Sequence, residues 1–248
     1  MSTSTEGQDA HKQVLVEHPA LKILLPHLQS YYWKSLKAHR SQGEKPSPLA
    51  AESYSSLVFD KVCELDNALA SLRLTLQFLM DLASEPNANP EAYRYHYENF
   101  MLRVIGFIDR AHRLVGATLF LPPKKFESIG GNSFVKKQTK NDYPDIYSAL
   151  ISVTDVVEKY REPRNELIHS SAYSNRELGL YLAVSTLSID TGEIDVKELK
   201  REHIMSGVSE VAIAIAELVG ALKALLDELA PSFVDAQRTF SAMGNEDQ

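Results

Sequence analysis

The chain is poor in the residues that build covalent or metal-centred frameworks. A single cysteine, Cys63, in 248 residues excludes an intramolecular disulfide and a thiolate metal cluster, and its place inside an apolar helical pattern suits a small buried side chain. A reducing compartment fits that usage. The eight histidines include no His-Glu-x-x-His pair, so zinc chemistry lacks local support, and no metal or other cofactor is expected. Also missing are a P-loop, a Gly-x-Gly-x-x-Gly fingerprint and a Gly-x-Ser-x-Gly elbow, which leaves nucleotide hydrolysis and serine-hydrolase chemistry without a motif. No apolar run approaches the roughly 20 residues of a membrane span. The polar residues 1–10 lack the basic start and apolar run of a secretory signal. The expectation is a cytoplasmic protein with no membrane partner. Positive charge is short as well: 26 Lys and Arg stand against 33 Asp and Glu, for a net charge of -7. That balance argues against coating long nucleic acid, which requires many neutralised phosphates, and leaves room for a small, locally basic RNA site.

What the chain has in quantity is helical periodicity. With 44% apolar and 24% charged residues it can bury one sizeable core with additions. Residues 18–40 read as helical, with Leu21, Leu24, Leu25, Leu28 and Tyr32 on one face and Tyr31 and Trp33 beside them. Residues 41–48 hold a glycine and two prolines and break the helix, so residues 1–48 are expected to be a helical extension and linker that packs on the core or reaches a partner. A long helix over 52–83 carries Val58, Val62, Leu65, Leu69, Leu72, Leu76, Leu79 and Ala83 in steps of four and three. After a loop over 85–90, the stripe Tyr93, Tyr97, Phe100, Val104, Phe107, Ala111 and Leu114 predicts one helix as far as about Leu121, stopped by Pro122 and Pro123.

Residues 122–141, with Gly130-Gly131 and Lys124, Lys125, Lys136, Lys137 and Lys140, read as an irregular basic connector. Asn141 or Asp142 is placed to cap a third long helix with Pro144 in its first turn and Ile146, Leu150, Val153, Val157 and Tyr160 on its buried face. From Leu178 the period shortens to two. Leu178, Leu180, Leu182 and Val184 alternate, and Asp190-Thr191-Gly192 supplies a turn before Ile194 and Val196, which predicts a β-hairpin over 178–197. A last helix over 200–229 places Ile204, Val208, Val211, Ile215, Leu218, Leu222 and Leu225 on one face and ends at Pro231, leaving 231–248 as a flexible tail. The expected fold is all-α: an up-and-down bundle of about four long helices over 49–230, with an N-terminal helical appendage and a small β-hairpin insertion.

Extending the third helix's apolar face past Tyr160 reaches Arg164 and then Ile168, so a guanidinium takes a position that the pattern reserves for an apolar side chain. Its charge cannot be removed near neutral pH, and it needs a carboxylate, a carbonyl cluster or a phosphate. Pro163 removes a backbone donor and predicts a kink at this turn. His169 lies five residues beyond Arg164, a rotation of about 140° and a rise of about 7.5 Å on an ideal helix. Joint action therefore needs the kink, or two copies of the helix facing each other. Asn165 and His169 are one turn apart on one face. Each residue also has a plain structural role open to it: Arg164 pairing with Glu166, Asn165 as a surface or capping residue, His169 beside the last carbonyls of a helix that ends near residues 170–171. On the preceding helix His96, Arg103 and Arg110 recur every seven residues, followed by Arg113, on a face that is either solvated or a phosphate path; Asp109 is spaced to pair with Arg113.

The run Tyr160-Arg161-Glu162-Pro163-Arg164-Asn165-Glu166-Leu167-Ile168-His169 resembles the signature of the HEPN superfamily: an arginine, a following polar residue, a few residues and a histidine. The resemblance covers residues 52–229. It implies a small helical bundle with the motif late in a core helix, a homodimer through the motif-bearing helices, and metal-independent cleavage of RNA in a toxin-antitoxin or antiviral system, with an antitoxin or other protein as a further partner. In the implied chemistry the RNA 2′-hydroxyl attacks the adjacent phosphorus and leaves a 2′,3′-cyclic phosphate and a 5′-hydroxyl. The resemblance assigns His169 as acid or base, a role suited to an imidazole, whose unperturbed pKa is about 6.5. It assigns Arg164 to stabilise the phosphate and Asn165 to orient the histidine or the substrate. Arg103, Arg110 and Arg161 are candidate substrate-binding residues. The alternative is a catalytically inactive RNA- or nucleotide-binding HEPN module or a protein-interaction scaffold, for which Tyr31, Tyr32 and Trp33 are candidate contacts.

Overall fold

The computed structural model describes residues 15–41, 43, 46–85, 87–169 and 176–246, and among them every regular element is helical. After a 3-10 turn, Pro19–Leu24, come α1 Leu25–Arg40, α2 Ala50–Ser84, α3 Pro90–Val104, α4 Gly106–Thr118, α5 Pro123–Phe126, α6 Gly131–Asp142, α7 Pro144–Glu158, α8 Arg161–His169, α9 Arg176–Leu187 and α10 Val196–Glu246. None of these helices is long and apolar enough to cross a membrane. The chain divides into two compact units. One comprises the residues up to Asn67, Ile108–Val153 and those from Ala221; the other comprises Ala68–Phe107 and Thr154–Gly220.

In the first unit, Leu21, Leu24 and Leu28 are buried, as their spacing predicts. Polar contacts anchor the same segment. The Asp66 carboxylate accepts the backbone N–H groups of Leu15 at 3.1 Å and Val16 at 2.9 Å. Buried Glu52 accepts from Ser30 Oγ and Lys34 Nζ, both at 2.7 Å, and from the Leu49 N–H at 3.0 Å. Burial by itself raises the Glu52 pKa, but the donors Lys34, Leu49 and Ser30 outweigh it and hold the carboxyl below its ordinary value. His27 Nε2 lies 2.7 Å from Gln237 Oε1 on α10. The segment before α2 is therefore tied to this unit at several points.

Three expectations change here. The basic stretch 122–141 is not a loop: α5 and α6 occupy most of it, because Gly131, Val135 and Thr139 recur every four residues as a buried stripe between the lysines. Gly130, at φ 85, sits at the α6 N-cap in the left-handed region that glycine tolerates. Gly131 packs so tightly that an added Cβ would lie 2.2 Å from the Phe126 carbonyl oxygen. Asn141 and Asp142 consequently form the last turn of α6 rather than a cap, and α7 starts at Pro144 just after Tyr143. Finally, α10 does not stop at Pro231 but runs to Glu246. Phe233 and Ala236 continue the stripe of Leu222, Leu225, Leu226 and Leu229 and are buried with it. Their burial offsets a proline penalty of about 3 kcal/mol. Further on, Phe240 joins Tyr54 and Phe120 in an aromatic cluster, with centroid distances of 5.7 Å to Tyr54 and 5.9 Å to Phe120.

In the second unit, Asn89 caps α3 by accepting the Glu91 N–H at 2.9 Å, and Tyr93, Tyr97, Phe100 and Val104 are buried in the expected stripe. The single helix expected beyond residue 90 is interrupted at Ile105, which separates α3 from α4. The predicted hairpin is also replaced by helix. Leu178 and Tyr181, three apart, are buried while Leu180 is exposed, whereas a strand would put 178, 180 and 182 on one face. Ser188 at φ 50 and the Ile189 N–H to Val184 C=O bond of 3.2 Å close α9. Asp195 then caps α10, accepting the N–H groups of Lys197 at 3.0 Å and Glu198 at 3.2 Å, so Val196 opens a helix instead of a second strand.

Candidate functional site

The elements that carry the Arg-Asn-x-x-x-His segment are α7 and α8. α7 ends at Glu158, the chain turns at Lys159–Tyr160, and α8 begins at Arg161. Tyr160 fixes the turn: its N–H donates to Val157 C=O at 3.0 Å, and its buried ring meets Phe100 of α3 edge-on at 5.0 Å. The direction change expected at Pro163 therefore lies a few residues earlier. Pro163 is the third residue of a new helix, where a missing N–H forfeits no intrahelical bond. α8 packs on α3.

Arg164 is half-buried. Its Nη1 donates to Asn165 Oδ1 at 3.1 Å, while its Nε is shielded from solvent and has no hydrogen-bond partner among the described residues. An unpaired buried donor of this kind costs about 1–3 kcal/mol. The apolar stripe does not resume after it, since Ile168 is 48% exposed. Asn165 and His169 are exposed and share an open depression lined also by Glu158, Arg161, Glu162 and Glu166. Arg164 is not among its lining residues. Within one chain the helix thus joins Asn165 to Arg164 by a hydrogen bond and to His169 by a common surface, while Arg164 and His169 point in different directions, as a five-residue spacing on a continuous helix requires.

The other candidates are dispersed. The Arg161 guanidinium is held by Glu158, with Nε–Oε1 at 2.6 Å and Nη2–Oε2 at 2.9 Å. Arg103, exposed on α3, donates from Nε to Asn99 Oδ1 at 2.8 Å. Arg110 belongs to α4 in the other compact unit, so the interruption at Ile105 divides the seven-residue row on which it was placed with Arg103. His96 stacks on Phe78 at 4.8 Å, and burial lowers its pKa. Asp109, spaced to pair with Arg113, accepts from Asn132 Nδ2 at 2.6 Å.

Two features were not singled out from the sequence. Behind α8, Tyr97 donates from its hydroxyl to Glu210 Oε2 at 2.6 Å. The Tyr160 hydroxyl is buried close to the same carboxylate without a well-formed hydrogen bond; burial, then Glu210, raises its pKa. Nothing in the pattern of α10 marks Glu210 as part of this cluster. The second feature, the row Glu158, Glu162 and Glu166, was visible as steps of four. It places three carboxylates around the depression that holds His169. Among the described residues no group of three or more His, Cys, Asp or Glu side chains could hold a metal ion.

An all-helical chain with arginine, asparagine and histidine on one short helix has the outline of a HEPN-type protein. The model of the Cthe2314-like HEPN family matches residues 39–230, and the chain belongs to that family. The match contains α8, whereas nearly all of α1 precedes it. Comparison with curated proteins and with solved structures finds no match.

Proposed function

We propose that the chain is a metal-independent HEPN endoribonuclease, acting in the cytoplasm as a homodimer through α8, in a toxin-antitoxin or antiviral system where a second protein controls it. The observation that carries this reading is the Arg164 guanidinium, whose Nε has lost water without gaining a partner among the described residues, on a helix that also presents Asn165 and His169 to solvent. An unsatisfied cation beside an open surface is suited to an anion that arrives from outside. In the reaction, the 2′-oxygen bonds to phosphorus as its proton leaves to a base, and the P–O5′ bond breaks as the 5′-oxygen gains a proton. His169 serves as base or acid, and Arg164 binds the non-bridging phosphoryl oxygens as charge develops. One imidazole cannot do both tasks at once, and a facing α8 supplies a second. Asn165, bonded to Arg164, orients the guanidinium.

One observation favours a non-catalytic binding module or interaction scaffold instead: Glu162 and Glu166 line the depression beside His169, with Glu158 already paired to Arg161, and two further carboxylates repel a phosphate unless a partner surface neutralises them. The deciding experiment incubates purified protein with single-stranded and structured RNA in EDTA. Cleavage to 2′,3′-cyclic phosphate ends that is lost in His169→Ala supports the nuclease. No product from the wild type, or equal product from the variant, removes the enzymatic claim.

A further inference from the structure

From His18 to Gly43 the sequence contains no Asp or Glu, in a chain whose 248 residues include 33 of them. Within that stretch, α1 buries Leu28 and leaves an adjoining arc of its surface open. Tyr32, Trp33, Leu36, Lys37 and Arg40 are all exposed and fall within an arc of about 140° at 100° per residue. Trp33 is 60% exposed, and Lys37 Nζ stands 4.9 Å from its ring centroid. Lys34, on the flank, is committed to Glu52. A carboxylate does act on the edge of the patch: the charge of Asp60 raises the Tyr32 pKa, after the larger effect of burial.

Exposed rings beside cations, with no acid on their own helix, form a surface on which bases stack while phosphates are neutralised. We propose that this face of α1 binds single-stranded RNA, with Trp33 as the stacking platform and Lys37 and Arg40 as phosphate contacts. The choice of RNA rests on the nuclease reading above; the stacking surface itself does not. A lipid surface fits less well, because Leu36 is the only aliphatic side chain among the five and the other side of α1 is committed to its own unit.

Trp33 is the chain's single tryptophan, so its fluorescence reports on this site alone. The test titrates single-stranded oligouridylate into full-length protein carrying His169→Ala, which prevents consumption of the probe. Saturable quenching is expected, with log K falling against log salt at a slope of about -1.4 for two phosphate contacts. Lys37→Glu with Arg40→Glu should weaken binding at least 10-fold, and Trp33→Ala, followed by anisotropy of labelled RNA, about 10-fold. Absence of quenching, quenching unchanged by the charge reversals, or equal quenching by polyglutamate overturns the proposal. A blue shift on phosphatidylglycerol vesicles with no response to RNA also overturns it, in favour of a membrane surface. Cleavage by wild type without quenching sinks this site and spares the nuclease; quenching without cleavage does the reverse.

Discussion

At the scale of single residues, two buried nitrogen groups have opposite consequences. Arg164 leaves one N–H unsatisfied among the described residues, so the fold gains little from it. Arg164→Ala is expected to abolish RNA cleavage while changing stability by no more than about 1 kcal/mol, measured by product formation and by thermal melting. His112, by contrast, is fully buried on α4 with Nδ1 2.7 Å from Ile108 C=O and no partner at Nε2 among the described residues. Burial is the main cause that lowers its pKa to about 4; Lys136 adds to this, while the Ile108 carbonyl and Asp109 oppose it. Because the folded pKa lies below the unfolded value, unfolded chains bind the extra proton first as pH falls. Stability should be unaffected by this group above about pH 6.5 and should drop by roughly 3 kcal/mol between there and pH 4. Urea denaturation at several pH values checks this, and His112→Gln should flatten that part of the profile.

At the scale of elements, α6 and α8 show how one residue sets a helix boundary. Gly130 takes the left-handed conformation that opens α6, and Gly131 allows its first turn to touch the Phe126 backbone. Gly131→Ala places a methyl group where a carbonyl oxygen already stands, and a loss of about 1–3 kcal/mol is expected, read as a lower midpoint in chemical denaturation. For α8 the boundary residue is Tyr160, whose buried ring ends the preceding helical path. On the helix that follows, Asn165 and His169 are exposed while Arg164 is half-buried.

At the scale of the molecule, a single chain leaves its candidate site divided between Arg164 on one side of α8 and the depression containing His169 on another. A second copy across α8 would unite them. The assembly is expected to have twice the 27.7 kDa mass of the chain, about 55 kDa by light scattering. Ile168, an exposed aliphatic on that helix, is the residue whose change to Arg should yield a folded monomer with cleavage lost. A monomeric wild type that cleaves RNA would contradict the two-copy site. The N-terminal segment also belongs at this scale. Glu52 and Asp66, both on α2, receive its donors, and acid that protonates Glu52 should loosen it, since a depressed carboxyl pKa stabilises in full above the unfolded value and loses that contribution as pH falls through the folded one.

The helical class, the stripes Val58 to Ala83 and Tyr93 to Leu114, and the helical setting of Arg164, Asn165 and His169 were legible in the sequence, because a period of 3.6 is a local property. What the sequence left open, or led astray, depended on partners far along the chain. The alternation Leu178 to Val184 is compatible with either period until burial of Leu178 and Tyr181 selects the helix, and Pro231 reads as a stop until Phe233 and Ala236 find a core to enter. Glu210 beside Tyr97 and the exposure of Ile168 likewise follow from packing. Local pattern assigns each residue its conformational preference; only the competition among buried surfaces decides which preference is kept.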